Sequence, residues 1–130
     1  MYSTVADLPS VPELAVICTP PATVPGLIDA LGERGTRSAI VLTAGLDATQ
    51  RRAMLLASRR HLLRILGPNC LGLLAPQIGL NASFAQTGAL PGALAMVSQS
   101  GAPMAAMLDW AQERGIGFSH FVSHRAHRRR

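Results

Sequence analysis

Lysine is missing altogether from this 130-residue chain, whose twelve basic residues are all arginine. That removes a P-loop lysine, a Schiff-base lysine and any lysine nucleophile from consideration. Long hydrophobic runs are missing too. LAVIC and GALAMV are among the longest, far short of the roughly 20 apolar residues of a membrane span. The first residues lack a basic stretch leading into an apolar one, so no secretory leader is read there. A cytoplasmic protein with no membrane partner is expected. Cysteine is scarce, and Cys18 in VICTP and Cys70 in PNCLG are expected as buried free thiols rather than disulfide or catalytic residues. His120, His124 and His127 have a short spacing, but no cysteine or carboxylate stands beside them and the neighbouring arginines repel a cation. No metal site and no catalytic residue are therefore assigned.

What is present is enough for a core: 48% of the residues are hydrophobic and 15% charged, the profile of one ordinary globular domain. The net charge of +5 is unevenly placed. Through Val122 eight arginines face seven acids, and the remaining arginines, 125, 128, 129 and 130, lie in the last six residues. The basicity belongs to a tail, residues 124–130, expected to be disordered. It has no interleaved aromatic residues for stacking, so no specific nucleic-acid partner is assigned. Arg51, Arg52, Arg59 and Arg60 recur along one helix and read as a solvated face, with attraction of an acidic ligand phosphate as the other reading.

Short apolar runs alternate with helical patterns. LAVIC (14–18) reads as a buried strand stopped by Thr19-Pro20-Pro21. Val24, Leu27, Ile28 and Leu31 then repeat at helical spacing up to Gly35. SAIVLT (38–43) is a second strand, and DATQRRAMLLASRRH a second helix, with Asp47 or Thr49 as N-cap and His61 near its solvated end. LLRIL (62–66) is a third strand, closed by Gly67-Pro68-Asn69-Cys70. LGLLAP and IGLNASFA are extended pieces, ALAMVS (93–98) a fourth strand, residues 101–114 a helix, and GFSHFVS a fifth strand. In that last helix Met104, Met107, Leu108 and Ala111 form an expected core stripe, with Trp110 at its margin.

The repeat predicts an α/β fold, a parallel doubly wound sheet, in which ligands bind outside the carboxyl ends of the strands. The four strand exits, CTPP, TAGL, GPNC and SQSG, are accordingly the candidate site. At Ser98-Gln99-Ser100-Gly101 two readings stand side by side. Ser100 simply caps a helix, or the free N–H groups and positive dipole end of that helix receive an anion. GPNC is likewise either a binding loop or a tight turn in which Asn69 serves geometry.

Taken in order, LAVICTPPATVPGLIDALGERG, AIVLTAGL, RILGPNCLGLLAP, LNASFA, PGALAMVSQSGA and MLDWAQERGIGFSHFVS resemble the CoA-binding region of NDP-forming acyl-CoA synthetases, across residues 5 to 123. That family includes the succinyl-CoA ligase alpha subunit and the ADP-forming acetate–CoA ligases. The wording is also close to the ligase-like region fused to bacterial protein lysine acetyltransferases. The resemblance implies a partial Rossmann-like CoA-binding domain over residues 1–90 and the first strand-helix-strand of a flavodoxin-like ligase domain over 91–123. It places Thr19, Pro20, Thr43, Ala44, Gly45, Gly67, Pro68 and Asn69 against coenzyme A. It also places Ser98, Gln99, Ser100 and Gly101 at the phosphate of a phosphohistidine.

Departures from the family pattern shape the expectation. The family's opening strand and glycine-rich loop, its phosphohistidine loop and its ATP-grasp domain have no counterpart in these residues, and no acetyltransferase segment is found. Pro103 stands where the family has Leu or Ile, and has no N–H to offer an anion. The expectation is a CoA- or nucleotide-binding fragment, truncated at both ends, that does not catalyse acyl-CoA formation alone. A CoA- or acyl-CoA-sensing module of an acetyltransferase, and a nonfunctional truncated product, are the alternatives.

Overall fold

A computed structural model describes residues 2–124; the arginines assigned to the tail at 125, 128, 129 and 130 lie outside the described residues. The chain forms two compact units, residues 1–68 and 69–130.

The first unit is built on three parallel strands in the order β1-β2-β3: β1 (Leu14–Ile17), β2 (Ser38–Val41) and β3 (Arg64–Leu66). Helices α1 (Val24–Glu33) and α2 (Ala48–Arg60) make the two crossovers and pack against each other on one face of the sheet. The core there joins Ile17, Ala39 and Val41 of the strands to Val24, Ile28 and Leu31 of α1 and Met54 of α2. Alternation along the strands and helical spacing along α1 both deliver apolar side chains to this layer, as the sequence pattern predicts. Pro25 sits in the first turn of α1, and Gly35, at φ 95°, reverses the chain after it. Asp47 is the N-cap of α2: its carboxylate accepts the Gln50 N–H at 2.8 Å, and the Gln50 side chain accepts the Asp47 N–H at 3.0 Å. This reciprocal box is why α2 begins where the second candidate loop ends.

The third strand begins later than LLRIL suggests. Helix α2 ends in a left-handed turn in which Leu62 N–H donates to Arg59 O and Leu63 N–H to Ser58 O, at 3.3 and 2.9 Å. Leu62 has φ 54° and stays exposed, while Leu63 enters the core. His61, expected in solvent, is largely enclosed instead: its Nε2 lies 2.8 Å from Asp29 Oδ1 of α1.

The second unit holds a four-stranded mixed sheet in the order β5-β4-β7-β6. Its strands are β4 (Gly72–Ala75), β5 (Leu80–Ser83), β6 (Leu90–Ser98) and β7 (Gly117–Ser123), with α3 (Gly101–Glu113) crossing from β6 to β7. Only β6 and β7 are parallel, and β4 and β5 form an antiparallel hairpin. The α/β class holds, but the strands are divided between two sheets, and the hairpin appears in the sequence only as two extended pieces. Met104, Leu108 and Ala111 of α3 pack with Phe118 and Phe121, whose rings meet edge to face at 5.0 Å. Met107, expected in this stripe, is 37% exposed. Trp110 lies at the margin under Arg114, whose guanidinium carbon is 4.6 Å from the ring centroid. Gly92 and Gly117 let β6 and β7 start close together: a Cβ on either would overlap the other strand's backbone.

Candidate functional site

The exits of β1, β2 and β3 lie along the carboxyl edge of the first sheet, because parallel strands end on the same side. At the first exit Pro20 and Pro21 stop the strand, and Pro21 opens a short 3-10 turn that runs into α1. Thr23 Oγ1 donates to Pro20 O at 2.8 Å and lies 2.7 Å from Thr19 Oγ1. At the second exit Thr43 Oγ1 donates to Thr19 O at 2.8 Å, which ties the two exits together. Gly45, at φ 82°, turns the chain where a Cβ would sit 3.8 Å from Pro21, and Ala44 and Gly45 are exposed. Arg51 Nε donates to Leu46 O at 3.0 Å and braces this loop from the first turn of α2.

At the third exit Gly67 has φ 102°, Gly67-Pro68 is a cis peptide, and Asn69 has φ 57°. Gly67 and Pro68 are buried, and Asn69 is exposed. The exits of β1 and β2 thus form a rim of small residues, tied together through Thr19 and Thr43, on which Ala44 and Gly45 are exposed. Such a rim suits a ligand held by backbone contacts. Thr23 and Arg51 were missed in the sequence because their role is to hold loops through hydrogen bonds. The spacing of residues carries no sign of that.

Cys18 is exposed at the first exit, against the expectation of burial, since β1 ends one residue before it. Cys70 is buried, and burial pushes its thiol up from the ordinary value.

Ser98, Gln99, Ser100 and Gly101 belong to the second unit, at the exit of β6 into α3. They leave a strand of the second sheet, not one of the first. Ser100 is the N-cap residue, yet its side chain makes no capping hydrogen bond. Ser98 Oγ instead accepts the Ser100 N–H at 3.2 Å. The Ser100 cap reading is thus not what the geometry shows, and the first-turn amides of α3 are left to a ligand or solvent. Ser98 itself is fixed from the neighbouring strand, where the His124 N–H donates to its carbonyl at 2.8 Å.

Beside α3 lies a cleft of about 350 Å³ with Leu71, Phe84, Ala85, Ala105 and Leu108 as apolar walls. Its polar side carries Gln86, Thr87 and Asp109, the last two joined by a 2.5 Å hydrogen bond from Thr87 Oγ1 to Asp109 Oδ1.

A family model described as "CoA binding domain" matches residues 1–76. The chain belongs to this family. A second, "Succinyl-CoA ligase like flavodoxin domain", matches residues 91–125. Among curated proteins, the chain is 37% identical over 126 residues to an ADP-forming acetate–CoA ligase of Methanocaldococcus jannaschii, covering 94% of this chain and 18% of that protein. It is 34% identical over 128 residues to acetate–CoA ligase (ADP-forming) I of Archaeoglobus fulgidus, covering 94% and 19%. The solved apo structure of dinucleotide-forming acetyl-coenzyme A synthetase 1 from Ca. Korarchaeum cryptofilum superposes with a TM-score of 0.87 at 34% identity, over 94% of this chain and 28% of that one. The chain is thus a CoA-binding-domain protein with the fold of an acyl-CoA synthetase region, and it spans about a fifth of the length of these curated relatives. Among its described residues no helix is long and apolar enough to cross a membrane.

Proposed function

We propose that this chain binds coenzyme A at the carboxyl edge of its first sheet, and that it does so without forming acyl-CoA on its own. The observation that carries the reading is the Thr43 to Thr19 hydrogen bond, which couples two strand exits into one rim beside Gly45. In this reading Thr19, Pro20, Thr43, Ala44, Gly45, Gly67, Pro68 and Asn69 contact the nucleotide and pantetheine arm. Arg51 keeps the second loop in place, and a positive charge there favours the CoA phosphates. The family match over residues 1–76 supports the ligand class.

Ser98 to Gly101 form an anion half-site that receives a phosphoryl group in the larger enzyme. Its uncapped first turn on a 13-residue helix supports that role. Residues 1–90 are read as the CoA-binding part and 91–123 as the beginning of a ligase-like part, a division supported by the two family models. The described histidines serve other ends: His61 is bound to Asp29, His120 stands in β7 and His124 follows it.

Calorimetric titration of the chain with CoA and acetyl-CoA tests the reading. The expected result is 1:1 binding in the micromolar range that Thr43→Val weakens. No heat at millimolar CoA overturns the binding claim. Acyl-CoA formation on mixing the chain with acetate, CoA and ATP overturns the claim that it is inactive alone.

A further inference from the structure

The opposite edge of the first sheet, where the strands begin, carries a different surface. Arg37 precedes β2 and Arg64 opens β3, and the two are joined by the Arg64 N–H donating to Arg37 O at 2.9 Å. Arg59 and Arg60 end α2 on the same side. All four are exposed. Among the described residues only Arg60 has an acidic partner, Asp29 at 3.7 Å, and Arg37, Arg59 and Arg64 form no ion pair. Glu13 and Glu33 lie near the starts of β1 and β2, and Asp7 stands between Ala6 and Leu8, whose carbonyls accept from Arg34 at the end of α1. With Arg34 counted, five arginines face four acids, Asp7, Glu13, Asp29 and Glu33, an excess of one.

Within this group stands Leu62, 80% exposed. It occupies the left-handed position after α2, at φ 54°, where glycine is the common choice and a bulky residue is an outlier. Neither core packing nor backbone preference accounts for leucine there. A surface that keeps an apolar anchor among unpaired guanidinium groups has the composition of an interaction site: a central apolar contact with a charged rim.

We propose that this edge docks a carboxylate-rich segment of a partner protein that carries an apolar residue for Leu62. Arginine favours such a partner because its planar fork binds carboxylates bidentately. Bases would need stacking surfaces, and no aromatic residue occurs between residues 3 and 83. A lipid surface would call for a broad apolar face rather than one side chain.

The test is fluorescence anisotropy of a labelled peptide of six glutamates and two leucines, titrated with the full chain at low and at physiological salt. Wild type, the Arg37→Glu/Arg64→Glu double variant and Leu62→Asn are compared. The arginines at 125, 128, 129 and 130 are common to all three proteins, so differences among them report this edge. The proposal expects saturable binding, weakened at least tenfold by the double reversal and severalfold by Leu62→Asn. Asparagine tolerates the left-handed backbone, so circular dichroism and thermal melts should show Leu62→Asn folded at least as stably as wild type. Absence of binding, or binding indifferent to these substitutions, overturns the proposal. So does an oligothymidylate or an anionic phosphatidylglycerol vesicle that binds more tightly than the peptide with the same dependence on Arg37 and Arg64.

Discussion

His61 Nε2 lies 2.8 Å from Asp29 Oδ1, and the same side chain fills the space over Gly32, where an added Cβ would be 2.5 Å from the His61 Cβ, Cγ and Cδ2. One side chain at the end of α2 thus both bonds and packs against α1. Gly32 is in the last turn of α1, where alanine gains up to about 1 kcal/mol over glycine. Here overpacking costs about 1–3 kcal/mol and outweighs that gain. Gly32→Ala should destabilise the first unit by about 1 kcal/mol in wild type and stabilise it in a His61→Gly background, which removes the His61 Cβ as well as the ring. Urea unfolding of the four proteins of this cycle decides it: a Gly32→Ala effect with the same sign in both backgrounds would disprove the contact.

Asp47→Ala should cost about 1 kcal/mol, because the carboxylate satisfies an otherwise unpaired amide of the first turn of α2. The second strand exit runs directly into this cap, so the loss should also raise hydrogen exchange at Ala44, Gly45 and Leu46. Stability measured by urea and exchange measured by mass spectrometry should change together; an unchanged exchange rate would show that the loop does not depend on the cap.

Much of this architecture is legible from the chain alone. LAVIC and SAIV announce buried parallel strands, Val24, Ile28 and Leu31 announce a helix face, and Asp47 or Thr49 announces a cap, because each depends on local spacing; the choice of Asp47 rests on its bonds with Gln50. The division into two sheets is not legible, since strand partners are chosen across the fold and β4 could pair in either direction by its own pattern. LLRIL suggests a strand from Leu62 because four of its five residues are apolar. The left-handed turn after α2 took it instead, set by hydrogen bonds to Arg59 and Ser58. For the site, Asn69 is readable as an unusual backbone position, whereas Gly45 and Gly67 are readable only as strand-exit residues and show their positive φ in the structure. The bracing by Thr23 and Arg51 is not, and the SQSG exit could not be assigned to the second sheet by sequence.

The two thiols should behave oppositely. Cys18 is exposed, whereas burial raises the Cys70 thiol above its ordinary 9.0. Iodoacetamide at pH 8 should give a single adduct on Cys18 in native protein and two adducts in urea, read by mass spectrometry. The linkage sign follows: in the unfolded chain Cys70 ionises from about pH 9.0, while the folded state keeps it protonated. Its contribution to stability is therefore complete below that pH and lost as pH rises through the folded value. A Cys70→Ala variant should show a shallower alkaline loss of stability; an identical slope would remove Cys70 as its source.

Pro103 gives the sharpest test of the anion half-site. It stands at the third position of α3, where a helix still has unbonded amides to offer, and proline supplies none. Pro103→Leu adds one N–H to the group already presented by Gly101 and Ala102. A hydrogen bond to a charged group contributes about 1.5–3 kcal/mol, but solvent competes at this exposed helix start, so a gain of threefold to tenfold in phosphate affinity is expected. Titration with inorganic phosphate, followed by amide shifts in ¹⁵N-correlated spectra, should move Ser100, Gly101 and Ala102 first, with residue 103 joining them in the variant. Ser98→Ala, which removes the acceptor for the Ser100 N–H at 3.2 Å, should loosen the turn and weaken the same titration. If phosphate shifts no amide at this helix start in either protein, the half-site reading fails while the CoA rim, tested separately by calorimetry, is untouched.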